Sequence, residues 1–307
     1  MIVGAPPSRL LLDTGSFRAG RFSIGRDHPE FAEAGQVRRH LFVFPRTGVW
    51  IEHERQRPFI ADPTVVTFYN RHEPYRRRAL SADGDRCDWY AFDPAVLSDL
   101  VCRLDPAAED RPERPFRFTH GPSDPVAYAQ QRLVAHHLNG PEPPDSLRVE
   151  EVMLRVLARV LRRSYAGRGL VPRRLALVNP ARAKGLVERV RGHALAHLDE
   201  RLTLSSLARV ADCSPFQLCR AFRHATGGTV HQWLLRLRLQ VSLERVAEPR
   251  RDLTAVALDL GFASHSHFTD TFRRSFGRPP SAVRAAVRAR GSAEARRILE
   301  AASGTGS

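Results

Sequence analysis

The chain has 307 residues, enough for two domains that each bury a hydrophobic core. Its formal net charge is +15, and residues 184–290 carry 18 basic against 9 acidic residues, a balance that suits a partner with a phosphate backbone. The four cysteines show no CxxC pair and no His/Cys spacing of a zinc site, and no stretch resembles a signal peptide or a membrane span. We therefore expect a soluble cytoplasmic protein with reduced thiols.

Residues 38–120 predict β-structure. Short runs rich in β-branched and aromatic residues alternate with Pro, Gly, Asn and Asp, as in antiparallel strands. These runs are residues 41–44, 48–51, 64–69 and 86–92. We predict a small antiparallel β-barrel or sandwich at 38–120, inside an N-terminal sensor or dimerisation domain of residues 1–166.

Two helices are predicted after these strands, at about 124–138 and 146–166. The second has more apolar surface than one buried face requires, so we expect part of it to pack against a second copy, in a homodimer formed through residues 124–166. Gly, Pro and Arg residues at 167–183 predict a linker, and the small-residue tail at 291–307 predicts disorder.

One short pattern occurs twice between residues 203 and 288. In each copy an apolar stripe at helical spacing is followed by a turn, a serine and a second stripe that ends in Phe-Arg and Gly. Copy one comprises Leu204, Leu207, Ala208, Ala211, Ser214, Leu218, Phe222, Arg223 and Gly227. Copy two comprises Leu253, Val256, Ala257, Leu260, Ser264, Phe268, Phe272, Arg273 and Gly277. Corresponding residues of the two copies are 49 positions apart before the turn and 50 positions apart after it, so copy two has one extra turn residue.

Each copy therefore predicts a helix-turn-helix, because two such patterns in register are hard to obtain from helix packing alone. Ser214 and Ser264 are predicted to cap the second helix of each copy, and Pro215 occupies a first-turn position that needs no donor. Gly261 is predicted to adopt the left-handed conformation that ends a helix, and Phe262 to pack over the next one.

Residues 236–284 resemble the DNA-binding domain of AraC/XylS-type transcriptional regulators, above all through residues 260–274, Gly277 and Pro279-Pro280. The resemblance extends over about 185–288 and is looser in copy one. It implies an all-α DNA-binding domain at 184–290, with two helix-turn-helix motifs joined by a linker helix, and a cupin-like sensor barrel before it. The predicted fold class is α+β.

The helix predicted at about 230–246 would be about 25 Å long. Successive major grooves are about 34 Å apart, and the radii of the helix bundles add to the helix length, so two recognition helices can enter successive grooves. The predicted outward residues of copy one are Phe216, Gln217, Cys219, Arg220 and Arg223, and those of copy two are His265, Ser266, Thr269, Asp270 and Arg273. Arg220 is the leading candidate for a base contact, since its guanidinium matches guanine O6 and N7. Phe216 could contact a thymine methyl group or pack against the neighbouring copy. Asp270 could accept from cytosine N4 or pair with Arg273 or Arg274, and Arg273 is expected to bind phosphate.

The N-terminal part gives weaker signals. Its histidines include His40, His53, His72 and His120, but no HxH motif occurs in the predicted barrel, so we expect no metal and no cofactor. Its large aromatic residues either line an effector pocket or belong to the core; they are Trp50, Tyr69, Tyr75, Trp89 and Tyr90. No catalytic or effector-binding residue is assigned.

The leading hypothesis is a sequence-specific transcriptional regulator that is not an enzyme. A cupin-type enzyme fused to a DNA-binding module is the alternative, and a ligand-free structural or nucleoid protein is less favoured. The expected partners are double-stranded DNA and a second copy, with RNA polymerase and a small-molecule effector as further candidates and no membrane.

Overall fold

A computed structural model describes residues 8–31, 35–54, 56–141, 143–170, 179–200, 202–248 and 251–288. The predicted tail and residues 171–178 of the predicted linker lie outside the described residues. The described residues divide into two compact units, one mainly within 8–139 and 148–170 and the other mainly within 179–213 and 217–288.

The described part of the first unit contains two antiparallel sheets. The strands are β1 (Ser8–Asp13), β2 (Phe17–Ile24), β3 (Gly35–Gln36), β4 (Leu41–Pro45), β5 (Val49–His53), β6 (Phe59–Ala61), β7 (Val65–Tyr69), β8 (Pro74–Ala79), β9 (Asp85–Phe92) and β10 (His120–Pro122). One sheet has the order β1-β2-β9-β4-β7-β10, and the other has the order β3-β8-β5-β6. The α+β class is confirmed, but the cupin-like barrel is not: among the described strands no hydrogen-bonded ladder joins the two sheets into a closed barrel.

Aromatic side chains form much of the core against the larger sheet. Register places Tyr90 of β9 opposite Ala19 of β2 and Phe42 of β4. The rings of Phe42 and Tyr90 are 5.4 Å apart, and Phe42 stacks on Phe92 at 6.0 Å. This alternation of buried side chains fixes the strand register, because a one-residue slip would move the rings to the other face.

Several elements of the first unit were not predicted. The strands β1, β2 and β3 precede residue 38, and helix α1 (Pro94–Leu104) lies inside the segment predicted as strands. α1 begins after Asp93, whose carboxylate accepts from the amide of Ala95 at 3.0 Å. The Asp-Pro start is a recognisable helix signal that the sequence analysis missed.

The two predicted helices of this unit are confirmed as α2 (Pro125–Leu138) and α3 (Ser146–Ala166). The Asp124 carboxylate caps α2 by accepting from the amides of Val126 at 3.0 Å and Ala127 at 3.1 Å. The expectation that α3 keeps spare apolar surface for a partner is wrong. Its large apolar side chains, such as Met153 and Leu157, are buried within the chain itself.

The described second unit is helical. Its helices are α4 (Pro180–Ala196), α5 (Leu204–Val210), α6 (Pro215–Thr226), α7 (Val230–Ala247), α8 (Leu253–Asp259), α9 (His265–Phe276) and α10 (Pro280–Arg288). α4 starts after the cap residue Asn179, four residues before the predicted domain boundary at 184. No helix within the described ranges combines the length and apolarity needed to cross a membrane.

Candidate nucleic-acid interface and effector pocket

Copy one forms the helix-turn-helix α5-turn-α6. Thr203 caps α5 in a reciprocal capping box with Ser206. The turn contains Asp212 in the left-handed region, with φ of 50°. The amides of Asp212 and Cys213 donate to the carbonyls of Arg209 and Ala208 at 3.1 and 3.0 Å, which is a Schellman ending. α6 then begins at the predicted Pro215.

Copy two forms α8-turn-α9 with the same ending. Gly261 has φ of 68°, and its amide donates to Leu258 at 2.8 Å while the amide of Phe262 donates to Ala257 at 3.0 Å. Ser264 caps α9 by accepting from the amide of His267 at 3.0 Å. The Phe262 ring lies 5.0 Å from that of Phe268. The left-handed glycine, the serine cap and the Phe262 contact are therefore confirmed.

Helix α7 connects the two copies. Thr229 caps it in a capping box with Gln232, and its 18 residues give a length of about 27 Å. The Arg284 guanidinium of α10 donates to the carbonyl of Val246 at 2.9 Å, which ties the end of α7 to α10. A capped helix anchored at its far end can act as a spacer between two recognition helices.

The predicted contact residues of copy one divide into two groups. Arg223 is exposed, and Gln217 and Arg220 are half-buried. Phe216 and Cys219 are only 5% and 8% exposed, so the prediction that they face outward is wrong, and the burial of Phe216 favours a packing role over a thymine contact. The physical reason is that residues three apart lie on one helix face, and a phenyl ring next to a thiol is stabilised by removal from water.

The predicted residues of copy two lie at or near the surface. Ser266, Asp270 and Arg273 are exposed, while His265 and Thr269 are half-buried. Asp270 forms an ion pair with Arg273 at 3.1 Å, which is one of the two roles that the sequence left open for it. The carboxylate thereby occupies a guanidinium that would otherwise be available to phosphate.

A pocket of about 640 Å³ lies in the first unit. Both sheets contribute to it, and Tyr69, Tyr75 and Trp89 line it, as one reading of the aromatic residues predicted. Tyr90 belongs to the core instead, and Trp50 contacts the Arg78 guanidinium at 5.4 Å. Sequence could not separate these two groups, because it does not show which strands face each other.

The candidate metal ligands of the first unit do not come together. His53 is buried, with Nδ1 3.7 Å from Glu73, and ring contacts to Phe59 and Tyr69 surround it. Within the described part of the chain, no three His, Cys, Asp or Glu side chains form a group that could hold a metal ion.

Comparison with known proteins decides the family. A family model described as a helix-turn-helix domain matches residues 207–286. The probable transcriptional regulator LumQ of Photobacterium leiognathi is 35% identical over 85 residues, which are 28% of this chain and 34% of LumQ. The regulatory protein SoxS of Salmonella typhimurium is 32% identical over 88 residues, which are 29% of this chain and 82% of SoxS.

The chain belongs to the AraC/XylS-type family of DNA-binding transcriptional regulators. The match to LumQ covers about a third of that protein, and the matching family model extends over both helix-turn-helix copies, from within α5 to within α10. A crystal structure of the DNA-binding domain of AdpA in complex with a target DNA is 37% identical, covering 35% of this AraC/XylS-type chain and 96% of that chain at a TM-score of 0.32. The bound DNA in that crystal is a property of AdpA.

Proposed function

We propose that one chain of this regulator places α6 and α9 in two successive major grooves of its operator, and that the first unit senses an effector and dimerises in the cytoplasm. The presence of two complete, capped helix-turn-helix units on either side of α7 carries the DNA-binding half of this proposal. The α7 length of about 27 Å supports it, since the remaining distance to about 34 Å is within the radii of the flanking helices.

Recognition is assigned to residues near the recognition-helix N-termini and to exposed cations. In copy one, Arg220 contacts a guanine, with Gln217 beside it and Arg223 on phosphate. In copy two, His265 and Ser266 lie at the start of α9, where base edges are closest. Thr269, Asp270 and Arg273 follow along the helix.

Hydroxyl-radical footprinting tests this arrangement. We expect two protected patches per chain, about one helical turn apart, and a single patch would contradict two-groove binding. Arg220→Ala should weaken specific binding by about 1–3 kcal/mol while leaving binding to random DNA nearly unchanged. Arg182→Ala removes an exposed charge from α4 and serves as the matched control. Equal losses on operator and random DNA would assign Arg220 to a phosphate.

Dimerisation is assigned to α2 rather than α3. Val126 and Leu133 are 49% and 71% exposed, and they lie seven residues apart on the same helix face. A second copy of the same stripe would cover both, as in a two-fold helix pair. Light scattering should show a full-length dimer at micromolar concentration that Leu133→Gln converts to monomer. Leu258→Gln, on exposed Leu258 of α8, should leave the dimer intact.

The regulator is proposed to act without catalysis. Family membership supports this, and the pocket supports effector binding. Metal analysis of the purified protein tests the alternative, because a cupin-type enzyme would retain a stoichiometric metal ion. An interaction with RNA polymerase at the bound promoter is a further proposal, testable by their co-occupancy in the same mobility-shift band.

A further inference from the structure

We propose that Arg238 of α7 sets the spacing between the two half-sites that one chain reads, by clamping the turn of copy two to the segment that leads into copy one. This inference deepens the two-groove binding proposed above and rests on it. A single helix such as α7 fixes a distance along its axis. The relative orientation of the two copies also depends on contacts at the side of that helix, and Arg238 supplies one.

One nitrogen of the Arg238 side chain contacts both parts. Its Nη2 donates to the carbonyl oxygen of Glu200, which lies between α4 and α5, at 3.5 Å. The same atom lies so close to Gly261 that a Cβ atom there would collide with it. The carbonyl oxygen of Leu198 also approaches this turn, 3.2 Å from the position of that Cβ. The guanidinium is thus held between the segment before copy one and the turn of copy two.

The segment that receives this contact is firmly attached to copy one. Leu198 and Leu202 are buried, and the amide of Leu202 donates to the same Glu200 carbonyl at 3.0 Å. Thr203 follows directly and begins α5 through its capping box. A contact to this segment is therefore a contact to the framework of the first helix-turn-helix.

The internal repeat provides a comparison for Arg238. Arg189 of α4 lies 49 residues earlier, which is the offset that relates the two copies before the turn. Arg189 also supports the turn of its own copy, since its Nη2 donates to the carbonyl of Ala211 at 2.7 Å. That bond joins the turn of copy one to the helix that precedes it. Among the described contacts of these two arginines, only those of Arg238 bridge the copies.

The burial of the Arg238 guanidinium indicates that this residue does more than fill space. Its Nε is buried without a hydrogen-bond partner, and burial lowers the pKa of the side chain. Removal of part of a cation from water costs free energy that a methionine of similar length would not incur. That cost arises where Nη2 reaches both copies, which favours a clamp over a packing role.

Operators with altered spacing test the clamp. The operator is selected from random duplexes with the full-length protein, and one base pair is then inserted between the two footprinted patches. Each added base pair moves the second groove by about 3.4 Å and rotates it by about 35°. We expect wild-type affinity to fall about tenfold or more, because the protein or the DNA must deform. Arg238→Met should reduce that loss to about threefold or less, since copy two can then turn to follow the groove.

Arg189→Met is the matched control, because it removes the corresponding arginine of copy one while it leaves Arg238 in place. It should keep the strict spacing preference of the wild type. Duplexes that carry only one half-site test whether each recognition helix remains intact. Arg238→Met should bind them within about twofold of the wild type, and a larger loss would show a general structural role and overturn the clamp.

The spacing experiment separates this inference from the proposed function. Two protected patches with the same spacing preference in Arg238→Met and the wild type would overturn the role of Arg238 and leave two-groove binding intact. Equal relaxation in Arg189→Met would also overturn it, because support of a turn rather than bridging would then govern the spacing. A single protected patch for the wild-type protein would overturn both.

Discussion

Replacement of Gly261 by alanine tests how the second helix-turn-helix is built. Gly261 has φ of 68°, a region in which an L residue costs about 1–2 kcal/mol. A Cβ at this position would also lie 2.8 Å from Cζ of Arg238 and 3.2 Å from the carbonyl oxygen of Leu198. The Arg238 guanidinium is the end of a flexible side chain, whereas the Leu198 carbonyl belongs to the backbone and shifts less readily. We therefore expect a cost above the backbone term alone, about 2–4 kcal/mol in total.

Gly277 provides the matched control. It has φ of 74° at the end of α9, and a Cβ there would meet no atom within 4 Å. Gly277→Ala therefore carries the backbone cost without the steric one, about 1–2 kcal/mol. The difference between the two variants measures the crowding under the turn. Gly261→Ala/Arg238→Ala should recover part of that difference, since it removes the guanidinium.

Urea unfolding of the full chain measures these free energies. Trp233 packs 5.5 Å from the Phe222 ring and reports on the helical unit, provided that Trp50 and Trp89 are replaced by Phe. Footprinting on the same variants should show that Gly261→Ala weakens the patch assigned to α9 more than the patch assigned to α6. If Gly261→Ala costs no more than Gly277→Ala and both patches persist, the crowding argument is refuted.

Three further predictions concern the Asp270 ion pair, the folding of residues 178–290 alone and the pH dependence of the Asp124 cap. Asp270→Asn should release Arg273 from its ion pair and so tighten DNA binding. The slope of DNA affinity against salt concentration, on logarithmic scales, should become steeper by about one phosphate contact. An unchanged slope would contradict the ion-pair argument. Residues 178–290 alone should be folded, monomeric and able to bind the operator, which sedimentation and mobility shift can check. Burial alone would raise the pKa of Asp124, but the Arg159 guanidinium and the α2 amides hold it below the ordinary value. The ionised Asp124 carboxylate therefore contributes its full stabilisation of the folded state at pH values above the ordinary pKa. That contribution is lost as the pH falls through the lowered pKa. Asp124→Ala should lose about 1–2 kcal/mol at neutral pH and flatten this acid limb, whereas Asp124→Asn should retain most of the cap.

Local signals predicted the helical part of the molecule well. The sequence predicted helices at 124–138 and 146–166, the second from its apolar spacing, and the structure has α2 at Pro125–Leu138 and α3 at Ser146–Ala166. The turn of copy two was also predictable, because a left-handed glycine, a serine cap and a phenylalanine each leave a mark within a few residues. Helix ends are governed by neighbours in sequence.

The β-strands were harder to predict from the sequence, for a physical reason. β1 and β2 carry arginines and a glycine among their apolar residues, and they are stabilised by pairing with each other and with β9 rather than by their own pattern. Whether strands close into a barrel or form two sheets depends on pairings between distant segments. Sequence periodicity does not encode those pairings directly.

For the candidate DNA contacts too, the sequence predicted some positions wrongly because burial depends on residues that are distant in sequence. Spacing placed Phe216 and Cys219 on the outer face of α6, but both are buried. A helical wheel gives the direction of a side chain and not what covers it. The polar residues were more reliable, since Arg223, Ser266 and Arg273 are exposed as predicted. Charged groups resist burial more strongly than apolar groups resist exposure.

The two copies differ in length by one residue. That residue lies between the end of the first helix and the serine that precedes the recognition helix. Both turns use the same Schellman ending, through Asp212 in copy one and Gly261 in copy two. After that ending, copy one reaches Ser214 at once, whereas copy two inserts Ala263 before Ser264. An aspartate tolerates the left-handed backbone at exposed Asp212, so the backbone alone does not require glycine. Glycine is required in copy two because Arg238 and the Leu198 carbonyl lie directly beneath the turn.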